Sequence, residues 1–100
     1  MNKCLNMLGL CARARKIAVG AQAVEISIKK GDARLVIIDE EASEETKKAF
    51  RNASSAKKIP FIIMESSLLG DAIGKPGRRV AAVTDDSFAD RIRQLNEMNV

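Results

Sequence analysis

A chain of 100 residues with 46% hydrophobic content and a net charge of +4 is long enough for one domain with its own core and too short for two. Its apolar share excludes a disordered chain, and no apolar run approaches the ~18 residues of a membrane span. There is no histidine, tryptophan or tyrosine, and the only aromatics are Phe50, Phe61 and Phe88; this excludes Ser/His/Asp and Cys/His catalysis, leaves only thiolates and carboxylates for a metal site, and disfavours a reader of single strands that stacks bases on exposed rings.

In chain order, MNKCLNMLGLCARARK (1–16) could pass for a short signal or an Arg-rich transit peptide. LGLC resembles a lipoprotein box, but Leu10 stands where a small residue belongs, and Asn6 interrupts the apolar stretch. Leu5, Leu8 and Ala12 follow the spacing of a packed helix, so a first helix is expected. Cys4 and Cys11, two turns apart on one face, are too distant for a disulfide and read as buried thiols of a reducing cytosol. Residues 16–19 read as a short link to Gly20.

Residues 21–30 form a helix ended by Gly31. At 100° per residue, Ala21, Val24 and Ile28 make its core stripe, while Gln22, Ile26, Lys29 and Lys30 point away. Ile26 is thus expected at the surface between lysines and an amide. Gly20 opens the helix, where unclaimed N–H groups and the positive dipole end can face a phosphate.

LVII (35–38) is a buried strand, and Asp39 is expected in a solvated acidic turn at its end. Ser43 caps a helix over 44–57, with Glu44 and Glu45 at its positive end and Lys57 and Lys58 at its negative end. FIIM (61–64) is the next strand. Ser66 or Ser67 caps a short helix to about residue 73. VAAV (80–83) is a third strand, and Asp86 or Ser87 caps a last helix with Phe88, Ile92 and Leu95 inward. Strands that are apolar throughout belong to a sheet covered on both faces. The alternation of strands and helices gives a single-domain three-layer α/β/α sandwich over residues 1–100, with a small mixed sheet.

LVIIDE (35–40) resembles a Walker B segment and GDAIGKP (70–76) a Walker A. The phosphate loop fails on chemistry: its first gap is one residue short, Pro76 replaces the hydroxyl that holds magnesium, and the order of the two motifs is reversed. A receiver-type phosphoacceptor at Asp39 would need acidic residues on earlier strands, and there are none. A nucleotide-dependent enzyme is therefore disfavoured.

VGAQAVEISIKKGDARLVIIDEEAS, then KKIPFII, then SSLLGDAIGKPGRRVAAVTD resemble the kink-turn-binding ribosomal protein family of the L-seven-Ae and thirty-e type. MLGLCARARK (7–16) is similar to the LLGLA-x-RA-x-K opening of the family's bacterial YlxQ branch. The paired signature is G-x-x-x-V followed about fifty residues later by LG-x-A-x-G. The resemblance implies an α/β/α sandwich whose glycine-led helix lies against sheared G·A pairs, with the second loop against unpaired nucleotides of the bulge. Leu69, Gly70, Ala72, Ile73 and Gly74 would form a small apolar saddle there, with Lys75, Arg78 and Arg79 adding phosphate contacts. The family's G-x-N-E-x-x-K places its Asn on Gln22, its Glu on Ala23 and its Lys on Ile26. Gln22 keeps an amide for base edges; Ala23 and Ile26 carry no charge. Gly20, Lys30 and Lys58 match glycine or basic positions, and Lys16 matches the N-terminal motif of the YlxQ branch as a phosphate contact.

The expectation is a non-catalytic, cytoplasmic, monomeric protein with neither cofactor nor metal. It would bind a kink-turn or similarly bulged RNA, in ribosomal RNA or on the ribosome, with no DNA or membrane partner. The alternative is a protein–protein adaptor on the ribosome or in RNA processing, its RNA contacts weakened at Ala23 and Ile26.

Overall fold

The computed structural model describes residues 3–64, 73–74 and 77–98. Its elements run α1 (Lys3–Arg13), β1 (Ile17–Val19), α2 (Ala21–Lys30), β2 (Leu35–Asp39), α3 (Glu44–Ala56), β3 (Phe61–Met64), β4 (Val80–Val83) and α4 (Asp86–Met98). The helix expected between residues 66 and 73, with Leu69, Gly70 and Ala72 of the saddle and Lys75 after it, lies outside the described residues. No described helix is long and apolar enough to cross a membrane.

The four strands form one mixed sheet in the order β1-β4-β2-β3. β4 runs antiparallel to both β1 and β2, and β2 runs parallel to β3. Side chains alternate across the sheet, so each apolar run feeds two cores. Leu35, Ile37, Ala81 and Val83 face α1 and α4, meeting Leu8, Cys11, Ile92 and Leu95. Val36, Ile38, Val80 and Ala82 face α2 and α3, meeting Val24, Ile28 and Phe50. The expected α/β/α sandwich follows from that two-sided burial.

The sequence reading needs three corrections. Residues 16–19 are no mere link: Ile17–Val19 is an edge strand, half-buried and too short to show a pattern. The buried stripe of α2 is Val24, Ser27 and Ile28, whereas Ala21 is exposed; Ser27 lies inward because the helix end tucks against the sheet there. Finally, α4 is capped one residue earlier than expected. The Phe88 N–H donates to Asp85 Oδ2 at 3.0 Å, the geometry that satisfies an orphan donor of the first turn. By contrast, Ser43 caps α3 as its position suggests, accepting from the Thr46 N–H at 3.1 Å.

The three helices that lead into β1, β2 and β3 end in one repeated turn. The N–H of Lys16 reaches the Cys11 carbonyl at 3.1 Å, that of Asp32 the Ser27 carbonyl at 3.0 Å, and that of Ile59 the Ser54 carbonyl at 2.9 Å. Inside each, a bond spanning three residues closes from the N–H of Arg15 to Ala12, of Gly31 to Ile28 and of Lys58 to Ser55. This is the Schellman pattern, which requires a left-handed residue at its corner; Arg15, Gly31 and Lys58 supply it with φ of 59°, 81° and 57°. Cys11, Ser27 and Ser54, where each turn begins, are small and buried, so the chain can fold back onto the sheet.

Cys4 and Cys11 are buried on one face of α1 and form no disulfide. Burial, followed by the charge of Asp85, pushes the Cys11 thiol up to about 11, and burial also raises Cys4. Both therefore stay protonated near neutrality and act as small core residues.

The α4 cap gives a direct check. Asp85→Ala is expected to cost about 1 kcal/mol, or roughly 4–8 °C in melting temperature, while Ser87→Ala stays within about 0.5 kcal/mol. Thermal melts of the two variants compare them.

Candidate nucleic-acid interface

β1, β2 and β3 all point the same way, so the two ends of the sheet differ in the residues they gather. At the first end β1 gives way to α2, β2 to the Asp39–Glu41 turn, and the segment 77–79 enters β4. The Gly20 N–H donates to the Val80 carbonyl at 2.9 Å, and the Asp39 N–H to the Arg79 carbonyl at 2.8 Å. These bonds bring the start of α2 and the end of β2 against the entry of β4, segments that lie far apart in the sequence.

Gly20 stands at φ 94°, ψ 157°, a region that is essentially closed to side-chain-bearing residues. Only glycine lets β1 turn directly into α2 here. No side chain caps the helix, so its first-turn N–H groups and positive dipole end remain open to an anion. Arg78 lies over the glycine: a Cβ placed on Gly20 would sit 3.8 Å from the Arg78 Cδ and Nη1. Around this pair is a depression of about 300 Å³ lined by Val19, Gly20, Ala21, Gln22, Ala23, Ile26 and Arg78. Gly20, Gln22, Ala23, Ile26 and Arg78 were each singled out from the sequence, and the fold brings them together. Ile26 is 50% exposed, as the helical wheel indicates.

Arg78 and Arg79, adjacent in sequence, are held differently. Arg79 Nη1 lies 3.3 Å from Glu41 Oε2 and 3.5 Å from Asp39 Oδ2. The longer contact is an ion pair but not a hydrogen bond, since Asp39 Oδ2 has no hydrogen-bond partner. Arg78 has no ion-pair partner among the described residues. Arg79 is thus paired with two carboxylates while its side chain stays 44% exposed, and Arg78 lines the depression. Asp39 is unlike the expected solvated residue: it is 0% exposed. Strand β2 runs one residue past the apolar run, and Oδ1 accepts from the Glu41 N–H at 2.9 Å to close the turn.

Two saddle residues are described. The Ile73 side chain is 6% exposed and packs in the core with Leu8, Met64 and Ile92. Its side chain is turned into the core, whereas the sequence reading set it in the saddle. Gly74 has φ 75° with open space where a Cβ would stand.

Lys16, Lys30 and Lys58 do not join the depression. The Lys16 carbonyl accepts from the Thr84 N–H at 2.9 Å, placing Lys16 at the entry of β1. Lys30 ends α2 and pairs with Asp32 at 3.7 Å. Lys58 precedes β3. All three lie at the opposite end of the sheet, about 15 Å away at 1.5 Å per residue of α2. Strand direction fixes this separation, and motif spacing alone does not reveal it. A second depression of about 280 Å³, lined by Leu35, Pro60, Phe61, Ile62, Arg93, Asn96 and Glu97, contains none of the expected residues.

Known proteins share this sequence and this fold. Residues 2–92 match the model of the ribosomal protein L7Ae/L30e/S12e/Gadd45 family. The chain is 40% identical over 90 residues to the RNA-binding protein YlxQ of Bacillus subtilis, spanning 89% of this chain and 90% of that one. It is 33% identical to the YlxQ of Enterococcus faecium, spanning 95% and 92%. A Bacillus halodurans protein of unknown function superposes with a TM-score of 0.92 at 34% identity, over 97% of this chain and 99% of that one. A Giardia lamblia 15.5 kD RNA-binding protein shares the fold, with a TM-score of 0.78 at 24% identity, over 94% and 82%.

The two ends of the Gly20 turn respond differently to substitution. Ile26→Lys is expected to leave stability within about 0.5 kcal/mol, as a surface change does. Gly20→Ala is expected to cost about 1–3 kcal/mol from backbone strain alone, because its Cβ meets only ordinary contacts. Thermal melts of both variants measure the contrast.

Proposed function

The chain belongs to the ribosomal protein L7Ae/L30e/S12e/Gadd45 family, and from that premise we propose that it is a non-catalytic, cytoplasmic RNA-binding protein that recognises a kink-turn or a similarly bulged RNA, with ribosomal RNA as the target class. The observation that carries this reading is one depression in which the glycine-led start of α2 meets Arg78 from the segment before β4, with the arginine laid over Gly20. The printed names of the YlxQ relatives as RNA-binding proteins support the same partner class.

Each lining group has a chemical role in this reading. The first-turn N–H groups of α2 and the Arg78 guanidinium offer donors to a phosphate. The Gln22 amide can pair with a base edge. Ala23 and Ile26 give an apolar wall against which an unstacked base loses little on leaving its helix. Gly74 keeps side chains out of the way where backbone and nucleotide approach. With no tryptophan, no tyrosine and Phe50 buried in the core, affinity rests on RNA shape, base edges and phosphates rather than on stacking.

In salt-dependent titrations the protein is expected to bind a bulged kink-turn RNA more tightly than a plain duplex. If four to six phosphates are neutralised, log K falls with log salt at a slope of about −3 to −5. Ile26→Lys is expected to tighten binding and steepen the slope by about one phosphate's worth. Equal affinity for both RNAs at physiological salt contradicts the reading. If the slope is flat and Ile26→Lys has no effect, the exposed apolar wall of the depression favours the adaptor alternative.

A further inference from the structure

The end of the sheet opposite the depression carries a different charge. Arg15, Lys16, Lys30, Arg34, Lys57 and Lys58 gather there, all exposed, against Asp32, Asp85 and Asp86. Lys30 is paired with Asp32 and Arg34 with Asp86. None of Arg15, Lys16, Lys57 and Lys58 has an ion-pair partner among the described residues. At the depression's end the described charges nearly cancel, with Asp39, Glu40, Glu41, Glu44 and Glu45 set against Lys47, Lys48, Arg78 and Arg79. Among the described residues, the basic excess is therefore greater at the end away from the Gly20 turn.

Backbone geometry sharpens the point. Arg15 and Lys58 are the non-glycine residues at positive φ among those described, and both are cations on this end. They occupy the same corner of the repeated helix-ending turn where α2 uses Gly31. A side chain there is strained relative to glycine. Attraction to the helix dipole favours a cation near a C-terminus, but a cation one or two residues earlier, in ordinary helical backbone, would meet that need without strain. The strained corners are occupied by exposed charges that have no ion-pair partner among the described residues.

We infer that this end of the sheet is a second RNA-binding surface, on which Arg15, Lys16 and Lys58 hold backbone phosphates of the helical stem that flanks the bulge. The inference rests on the RNA reading above and adds a second point of contact to it. The exposed face of α2 joins the two ends through Gln22, Ile26 and Lys29, over about 15 Å. One duplex stem leaving the depression along that face reaches the basic end. Contacts of this kind read no sequence; they fix the register and direction of the stem.

The test is the double variant Arg15→Gly/Lys58→Gly in the full chain, titrated with two RNAs that share one bulge, one with a long flanking stem and one with that stem cut short. Glycine suits both corners, so the melting temperature is expected to hold or rise. Affinity for the long-stem RNA is expected to fall at least about fivefold, with a salt slope shallower by about 1.5–2, while short-stem affinity stays within about twofold. Wild-type affinity for the long-stem RNA, or equal losses on both RNAs, overturns the inference. If the double variant melts lower, Lys16→Gln, at an exposed and unpaired side chain, is read against the same two outcomes. A plain duplex separates the two readings. If the wild-type protein binds plain duplex as well as bulged RNA, kink-turn recognition fails, and the loss caused by Arg15→Gly/Lys58→Gly on that duplex still decides the surface. A wild-type protein that binds none of these RNAs overturns both.

Discussion

The central pair β2 and β4 is buried on both faces, and the rest of the molecule is arranged around that constraint. Leu35, Val36, Ile37, Ile38 and Asp39 are all 0% exposed, and Ala81, Ala82 and Val83 equally so. Side chains that alternate between two helical layers must be apolar on both sides. Apart from Asp39 at the last position of β2, they leave no polar chemistry along these strands, so binding chemistry is confined to the ends of the sheet. The same two-sided burial explains why the helices turn back so sharply, with a small residue tucked under each turn.

Within that frame, the character of the depression follows from Gly20. Its dihedrals exclude other residues, and its N–H is tied to the Val80 carbonyl. The start of α2 is thereby pinned to the start of β4, and the segment before β4 must pass over the glycine. A buried carboxylate on the neighbouring strand, Asp39, holds Arg79 from below together with Glu41. Arg78, one residue earlier, is left to face the depression. Fastening one arginine inward sets the position of the other, at the cost of burying a carboxylate whose second oxygen is incompletely satisfied.

Much of this was legible in the sequence because strong patterns encoded it. The apolar runs 35–38, 61–64 and 80–83 could only be buried strands, Gly31 had to end a helix, and Ser43 followed by two glutamates marked the start of another. Ile26 was placed outward by helical phase alone. The features that escaped were set by tertiary context. Ile17–Val19 is too short and too half-buried to show a period. Ala21 and Ser27 compete for one stripe, and the inward turn of the chain after α2 decides between them. Asp85, Asp86 and Ser87 are adjacent, chemically suitable caps, and only the geometry at the end of β4 selects the first. Asp39 looks like a surface acid until Arg79 is seen across from it. Ile73 stands among glycines in the sequence, which suggests exposure, yet its side chain is buried in the core. The separation of Lys16, Lys30 and Lys58 from the Gly20 turn depends on strand direction, which no motif spacing records.

The central claim is that RNA meets the protein at the Gly20 end of the sheet. Amide chemical-shift mapping tests it most directly, with isotope-labelled protein titrated with a bulged kink-turn RNA. The largest shifts are expected at Gly20, Gln22, Ala23, Ile26, Gly74 and Arg78, with the amides of Arg93, Asn96 and Glu97 unmoved. Shifts centred on that second group, with Gly20 through Ile26 unchanged, would contradict the account.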